Sequence, residues 1–261
     1  MADGNGKKDA VSWAVASLKG GVSKTTTAGT IAHGLSLAKR KVLLVDCDSQ
    51  NHVRVLFDLD KKPGLDALLM KEISFDEAIV PFSENLDIMP AGDALSKAAR
   101  EINLLEVRQE KELLRVLKPA KSRYDYIIFD TSPGWDIILV NVFIAADYII
   151  APVTMQQLSI ESFAKLLRRL KAIQEEKDGF GVDIVLPAIF DRRLKDARLY
   201  LEQLHKIVPG IIASPIRKTV KVEQAAKTIL ASLRPDAEPE GAAADYIEVI
   251  KRIMEVSENA R

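Results

Sequence analysis

The sequence contains few of the side chains that form disulfides and metal clusters. Its 261 residues include one cysteine, Cys47, and three scattered histidines, His33, His52 and His205. A single cysteine excludes an internal disulfide, and it also excludes an iron–sulfur cluster that two subunits share through two cysteines each. The histidines do not have the spacing of a zinc site. We therefore expect Cys47 to be a small buried residue of a strand.

Long apolar runs and an excess of one charge are also missing. No run approaches the length of a membrane span, and the polar N-terminus has no apolar signal segment, so we expect a cytoplasmic protein. Lys+Arg and Asp+Glu each number 37, so any contact with nucleic acid must use a local patch and not the overall charge. The composition, 48% hydrophobic and 28% charged, provides a full core and a polar surface.

The order of predicted elements indicates the fold class. Strands alternate with helices along the chain, which is typical of an α/β protein with a doubly wound, mostly parallel sheet and helices on both faces. We expect one domain over residues 1–261, with residues 1–10 as a flexible tail. The predicted strands are 11–18, 41–46, 86–90, 124–130, 147–153, 182–190 and a short one near 210–213. The predicted helices are 24–39, 64–72, 75–80, 94–118, 137–145, 157–177, 195–207, 220–231 and 241–257.

A glycine-rich turn follows the first strand and reads K-G-G-V-S-K-T-T-T over residues 19–27. A strand, such a turn and then a helix form a phosphate cradle, because backbone N–H groups and the helix N-terminus converge on the phosphates. Lys24 supplies a charge to the outer phosphates, and the Thr25 hydroxyl can ligate Mg²⁺. The ordinary P-loop pattern fails, since its glycines would fall on Leu18 and Ser23. Instead a second lysine, Lys19, begins the loop; the alternative is a glycine turn with an incidental lysine pair.

Carboxylates end two further predicted strands. Asp46 and Asp48 follow the strand 41–46, and Asp130 ends the strand 124–130. In open α/β sheets, ligands bind at the carboxyl ends of the strands, so these acids arrive at the edge that holds the phosphate loop. An apolar strand ending in Asp is the Walker B pattern, whose acid holds Mg²⁺ directly or through water. The alternative is a set of solvated carboxylates at strand ends.

These three motifs together resemble those of the ParA/MinD family of ATPases. K-G-G-x-x-K-T-T resembles the deviant Walker A motif, with Ser23 where the family usually has Gly. Asp46-Cys-Asp-Ser-Gln50 resembles the switch I pattern D-x-D-P-Q, with Ser49 in place of Pro, and Asp130-Thr-Ser-Pro133 resembles the switch II pattern D-x-x-P. Looser matches extend the resemblance over most of residues 11–257. The guanine-recognition motif Asn-Lys-x-Asp is missing, which favours ATP over GTP.

The resemblance implies a role for each residue of the motifs. Lys24 serves its own nucleotide, Lys19 reaches the nucleotide of a second subunit across a dimer, and Asp48 orients the attacking water. The nucleotide-binding residues are Gly20, Gly21, Val22, Ser23, Lys24, Thr25 and Thr26 of the loop, with Pro215 and Arg217 from the C-terminal region. The metal ligands are Thr25, Asp46 and Asp130.

The function implied is that of a short ParA-type protein. It would form a homodimer with ATP and Mg²⁺, hydrolyse ATP slowly with stimulation by an adaptor protein (ParB-like or linked to a cargo), and associate with the nucleoid. The role would be partition of a plasmid or chromosome, or positioning of a cellular cargo. The alternative is a MinD-like, membrane-associated ATPase that regulates division or placement, although the last predicted helix is better explained by packing on the domain. A third class is a metabolic P-loop enzyme.

Basic side chains of the C-terminal half are the candidate DNA surface. They form two clusters without aromatic interleaving, which favours phosphate contacts that ignore the base sequence. The alternative is a solvated surface with ion pairs to nearby acids. The candidate residues are Arg192, Arg193, Lys195 and Arg198 in the first cluster and Arg217, Lys218 and Lys221 in the second, with Lys227 and Arg234 following.

Overall fold

The computed structural model of the chain describes residues 9–174, 177, 179–219, 225–233 and 239–259. The strands are β1 Val11–Val15, β2 Val42–Cys47, β3 Val80–Ser83, β4 Leu86–Met89, β5 Tyr126–Thr131, β6 Tyr148–Thr154 and β7 Ile184–Ala188. The helices are α1 Lys24–Leu37, α2 His52–Leu56, α3 Leu65–Leu69, α4 Leu95–Asn103, α5 Glu112–Val116, α6 Lys118–Arg123, α7 Ile137–Ala145, α8 Gln157–Gln174, α9 Lys195–Ile207, α10 Ala225–Ser232 and α11 Ala242–Asn259.

The seven strands form one sheet in the order β3-β4-β2-β5-β1-β6-β7. All neighbouring strands are parallel except β3 and β4, which form an antiparallel edge. The central strands β1, β2 and β5 are buried along their whole length, as expected for a parallel sheet that helices cover on both faces. The predicted fold class is therefore confirmed.

Alternate side chains of the central strands enter two separate apolar layers. Trp13 and Val15 of β1 pack on the face covered by α1, α2, α10 and α11. Ala14 of the same strand faces the layer that contains α3, α4, α5, α7, α8 and α9. The two-residue period of a strand thus divides the core between the two faces. The sheet is fixed from both sides, and its carboxyl edge is a rigid base for the loops that leave it.

The last helix, α11, packs on the sheet, as the sequence predicts. Its buried side includes Tyr246 and Ile253, the Tyr246 hydroxyl lies 2.9 Å from Oγ1 of Thr27, and Trp13 Nε1 donates to Ser257 Oγ at 3.1 Å. These contacts join α11 to both α1 and β1. Among the described residues, no helix has both the length and the apolar character needed to span a lipid bilayer.

The long helix predicted over residues 94–118 is wrong. Helix α4 ends at Asn103, a 3-10 turn follows over Gln109–Lys111, and α5 begins at Glu112. Arg108 has φ 58°, a left-handed angle that breaks a right-handed helix. A tertiary contact supports the break, since the buried Asn141 of α7 accepts from Leu113 N and donates to Gln109 O. The charge pattern of this segment could not predict that contact, because Asn141 lies in a different part of the sequence.

Other predicted boundaries also need correction. Residues 75–78 are a turn and not a helix, and the chain then enters the unpredicted strand β3. The predicted strands 11–18 and 182–190 are shorter in the structure, since β1 ends at Val15 and β7 spans only Ile184–Ala188 before the chain leaves the sheet. Pro187 lies within the edge strand β7, a position that tolerates a missing N–H. Ala10, which we placed in the tail, is buried and donates to Lys121 O, whereas residues 1–8 lie outside the described part.

Candidate nucleotide and magnesium site

The loop between β1 and α1 presents a row of free backbone donors. Among the described residues, the N–H groups of residues 20–26 have no hydrogen-bond acceptor, and the first regular bond of the helix runs from Thr27 N to Ser23 O. Two positions bend the loop: Gly21 and Ser23 both have φ 70°, in the left-handed region. The serine therefore adopts the backbone angles that glycine takes freely. A concave row of unpaired N–H groups at a helix N-terminus is a binding site for an anion such as a phosphate.

The two lysines of the loop have different surroundings. Lys24 is only 7% exposed, and its Nζ donates to the Lys19 carbonyl at 3.2 Å. Burial lowers the pKa of Lys24, while the charges of Asp130 and Asp48 act in the opposite direction. The Lys19 side chain bonds to a different part of the protein. Its Nζ donates to Ser159 Oγ at 3.0 Å and to Gln156 Oε1 at 3.3 Å.

The acids predicted as metal ligands lie side by side at the carboxyl edge. Asp46 of β2 pairs in register with Asp130 of β5, and both are fully buried. Oδ1 of Asp46 accepts from Asp48 N at 3.0 Å, but Oδ2 of Asp46 and both oxygens of Asp130 lack a hydrogen-bond partner among the described residues. Burial raises the pKa of Asp46 well above its usual range and that of Asp130 to about 7, and the nearby Thr25 hydroxyl and Lys24 ammonium lower the pKa of Asp130.

Unpartnered buried carboxylate oxygens of this kind fit a magnesium site. Mg²⁺ prefers oxygen ligands and is usually held by one or two carboxylates, substrate phosphates and several waters. In the described part of the chain, no group of three or more His, Cys, Asp and Glu side chains could hold a metal ion by itself. Asp46, Asp130 and the Thr25 hydroxyl beside the phosphate loop are therefore suited to a cation that arrives together with a phosphate ligand.

A cleft of about 410 Å³ opens over the phosphate loop. Asp48, which is 5% exposed, lines it opposite Lys24 and Thr25. Lys227 of α10 also lines this cleft, although the sequence suggested that it continues the DNA surface. Its Nζ lies 3.8 Å from the exposed Asp58. No pattern in the sequence indicates this placement, because α10 reaches the loop only through the tertiary fold.

Of the two predicted nucleotide residues of the C-terminal region, Arg217 shares a cavity with the phosphate loop and Pro215 does not line that cavity. Arg217 lines an adjoining cavity of about 110 Å³ together with Ser23, Thr26 and Tyr246. Pro215 instead lines a basic cleft of about 650 Å³ on the outer side of the same segment. The structure thus places Arg217 between the loop and the basic cleft.

The basic clusters predicted for DNA meet in that basic cleft. A bridge between Phe190 and Arg217 brings the two segments together, so that Arg192, Arg193, Arg217 and Lys218 line one cleft. Acids neutralise two of the arginines. Arg193 donates to both oxygens of Asp191 at 2.9 and 2.7 Å, and Arg217 does the same to Asp245 at 2.9 and 2.8 Å.

The other cations have no such partner. No ion pair within the described residues engages Arg192, Lys195, Arg198 or Lys218. Lys221 and Arg234 lie outside the described residues. The structure thus brings Arg192, Arg193, Arg217 and Lys218 together, with part of their charge already compensated. Lys195 and Arg198 are not among the residues that line this cleft.

A further cleft of about 530 Å³ lies on the other side of the phosphate loop. Lys19, Thr154, Ile189 and Tyr200 are among the residues that line it. Ile189 has φ 53°, which is a genuine outlier for a β-branched residue. The sequence did not indicate this cleft.

A parallel sheet whose first strand leads through a glycine-rich loop into a helix, with a buried acid on the adjacent strand β5 and another on β2 next to it, defines a P-loop nucleotide-binding protein. A family model described as an AAA domain matches residues 11–180. A ParA family protein of Chlamydia pneumoniae is 30% identical over 252 residues, which cover 92% of this chain and 96% of that protein. The chain belongs to the ParA/MinD family of ATPases.

The chain is also similar to three other proteins in sequence or fold. The sporulation initiation inhibitor protein Soj of Bacillus subtilis is 29% identical over 201 residues, which cover 74% of this chain and 78% of Soj. A cobyrinic acid a,c-diamide synthase of Mycobacterium smegmatis, solved with an ATP analogue and magnesium, is 26% identical with a TM-score of 0.74 and covers 86% of this chain and 94% of the synthase. The McdA(D38A)–ATP complex of Cyanothece shares the fold, with a TM-score of 0.81 at 22% identity and coverage of 95% and 97%.

Proposed function

We propose that the protein is a ParA-type ATPase that dimerises when it binds ATP and Mg²⁺, binds DNA in that state, and thereby positions or segregates DNA or a cellular cargo on the nucleoid. The observation that supports this most directly is the pair of lysines on one phosphate loop beside buried, unpartnered carboxylates. Family membership supplies the ATPase class. Because the ATP state would be the signal, slow hydrolysis is sufficient, and an adaptor protein would accelerate it.

Each residue of the site would have a separate role in hydrolysis. The N–H groups of the loop and the Lys24 ammonium would bind the phosphates and compensate the charge that develops there. Thr25, Asp46 and Asp130 would hold Mg²⁺, which supplies further neutralisation of phosphate charge. Asp48 would orient the attacking water, since its buried carboxylate lines the cleft opposite the loop. Asp48→Ala should therefore bind ATP and dimerise but fail to hydrolyse it.

Lys19 is the residue proposed to contact the nucleotide of the second subunit. Lys19→Ala should retain ATP binding as a monomer and lose the ATP-dependent dimer, whereas Lys24→Ala should lose ATP binding itself. Lys171→Ala, at an exposed position of α8, is the matched control and should behave as the wild type. Light scattering with and without Mg-ATP measures the dimer. A Lys19→Ala protein that dimerises normally with ATP would contradict the role across the interface.

The unpaired cations of the basic cleft are proposed to contact DNA phosphates. Two subunits joined by ATP would double the number of these contacts, and each neutralised phosphate adds about 0.9 to the slope of log affinity against log salt. Arg192→Ala should therefore weaken binding of unrelated duplexes and reduce that slope. Arg193→Ala should have the smaller effect, because Asp191 already pairs with this guanidinium.

Gel shifts at two salt concentrations, with ATP and with ADP, test the DNA proposal. Binding that needs ATP and ignores sequence supports it. Equal binding in both nucleotide states would contradict the proposed switch. Absence of DNA binding, together with ATP-dependent binding to anionic vesicles, would instead support the MinD-like alternative.

The cleft beside Lys19 favours a second candidate, an ATP-dependent enzyme that activates a small substrate. Thr154, Lys195, Tyr200 and Lys218 give this cleft polar groups at its walls. Such an enzyme would need neither DNA nor ATP-controlled dimerisation. A protein that remains in one oligomeric state with and without ATP, and that ignores DNA, would favour this candidate over the ParA-type function.

A further inference from the structure

The carboxylate of Asp48 is oriented by the short turn that follows it. Its Oδ1 accepts from Gln50 N at 3.0 Å, and its carbonyl accepts from Asn51 N at 3.0 Å. The backbone N–H of Asp48 donates to Asp46 Oδ1. In the described part of the chain, the side chain has no hydrogen bond from outside this turn. The direction of the carboxylate therefore depends on how firmly the turn itself is held.

Asn51 attaches this turn to another part of the protein. The residue is 8% exposed and has φ 54°, and its Nδ2 donates to Gly92 O at 3.0 Å and to Ser49 O at 3.4 Å. The contact with Gly92 joins positions 41 residues apart. It is the side-chain link between the turn and the loop that follows β4.

The loop that accepts this contact is itself rigid. Asp66 at the start of α3 accepts from Gly64 N and Ala67 N through Oδ1 and from Ala94 N through Oδ2. Gly92 has φ 78° and lies so close to the Asp66 carboxylate that a Cβ would fall 1.9 Å from its Oδ1. Asn51 is thus bonded to a backbone carbonyl whose position is fixed from two sides.

Asparagine is the residue type suited to this position. It tolerates left-handed angles better than most residues, and its amide donates a hydrogen bond that neither Gly nor Asp can supply. The neighbouring Ser49 stands where the resembling switch I pattern has Pro, whose ring would fix φ near −65°. Ser49 does not fix φ in this way, so the conformation of the turn depends on another contact.

We propose that Asn51 is a positioning residue that holds Asp48 in the orientation needed for hydrolysis. This inference rests on the proposed function, in which Asp48 orients the attacking water. Asn51 itself is not among the residues that line the cleft over the phosphate loop. It acts through the turn 48–51, and the restraint that a proline would give to the backbone comes here from a side-chain amide.

Two substitutions test the hydrogen bond of the Asn51 amide separately from the left-handed backbone angle of this residue. Asn51→Gly keeps the left-handed conformation and loses the amide, and Asn51→Asp places a carboxylate against the Gly92 carbonyl. In both, the single-turnover rate of ATP hydrolysis should fall about tenfold, since small errors in placement are costly in rate. The dissociation constant for ATP should change less than about twofold, because the phosphate loop is untouched. Asn85→Gly, in the turn between β3 and β4, is the control and should retain the full rate.

A rescue experiment distinguishes positioning from general stability. The N–H of Ser49 donates no hydrogen bond to a described residue, so Ser49→Pro removes no such bond from the turn. Adding Ser49→Pro to Asn51→Gly should restore most of the rate. An unchanged rate in Asn51→Gly, or a loss of rate that is matched by loss of ATP affinity and folded protein, would overturn the inference.

A double variant separates this inference from the proposed function. If Asp48→Ala retains only a small residual rate, adding Asn51→Gly should leave that residual rate unchanged. A further fall in the residual rate would show that Asn51 acts by another route and would overturn the inference. If Asp48→Ala alone hydrolyses ATP normally, the assigned role of Asp48 fails, and the positioning role of Asn51 fails with it. An inactive Asp48→Ala beside a normal Asn51→Gly would overturn only the role of Asn51.

Discussion

Gly21 and Ser23 provide an internal test of how the phosphate loop is held. Both residues have φ 70°, yet one has no side chain and the other has a Cβ. A Cβ built on Gly21 would meet nothing within 4 Å, so Gly21→Ala introduces no clash. The Ser23 side chain makes no capping hydrogen bond to α1. Substitution at either position therefore reports mainly the conformational preference of the backbone.

The expected magnitudes follow from that preference. A non-glycine residue in the left-handed region costs roughly 1–2 kcal/mol. The loss of backbone freedom when a glycine folds offsets about 0.4–1 kcal/mol of this difference. Ser23→Gly should therefore stabilise the protein by about 0.5–1 kcal/mol, and Gly21→Ala should destabilise it by a similar amount. For a chain of this length, each change corresponds to a shift of about 1–4 °C in melting temperature.

Thermal unfolding without nucleotide measures both shifts. Ser23→Ala is the control, because it removes the hydroxyl and keeps the Cβ, so its melting temperature should stay close to that of the wild type. Opposite shifts for Ser23→Gly and Gly21→Ala are the expected result. If Ser23→Gly were no more stable than Ser23→Ala, the loop would not be held at the left-handed angle, and the reasoning about this position would be refuted.

Two further predictions concern charges outside the motifs. Lys227→Gln should weaken ATP binding about two- to fivefold by titration calorimetry, as expected for one partly exposed charge, and should leave the salt dependence of DNA binding unchanged. Burial raises the pKa of Asp183 from 3.8 to about 6, so the folded state binds this proton more tightly than the unfolded state. The stabilisation is present at low pH and is lost as pH rises, so the melting temperature of the wild type relative to Asp183→Asn should fall between about pH 4 and pH 6 and then level off.

Local sequence was sufficient to predict which side chains lie together at the carboxyl edge. The phosphate loop is a contiguous motif, and Asp46, Asp48 and Asp130 follow from one rule, that parallel strands bring their carboxyl ends to the same edge. Ser23 has φ 70°, because a residue that stands in the place of glycine in a tight turn takes the same backbone angles.

The remaining features depend on contacts between distant segments. The amide of Asn51 meets a carbonyl 41 residues away, and Asp245 neutralises Arg217 across 28 residues. Lys227 reaches the phosphate loop because α10 packs beside α1. None of these pairs has a spacing that sequence periodicity can detect. The break in the predicted helix 94–118 has the same origin, since a side chain of α7 binds the backbone of that segment.

The contacts of Lys19 explain why ATP would control the proposed dimer. To reach a second subunit, the ammonium must give up its bonds to Ser159 and Gln156, each contributing about 0.5–1.5 kcal/mol. Burial of the charge in an interface adds a further penalty unless an anion compensates it. The phosphates of the partner's nucleotide can supply this compensation, and two-fold symmetry would repeat the exchange at both sites. Loss of the terminal phosphate by hydrolysis would then weaken the interface twice, which is the physical requirement for a switch that opens after one turnover.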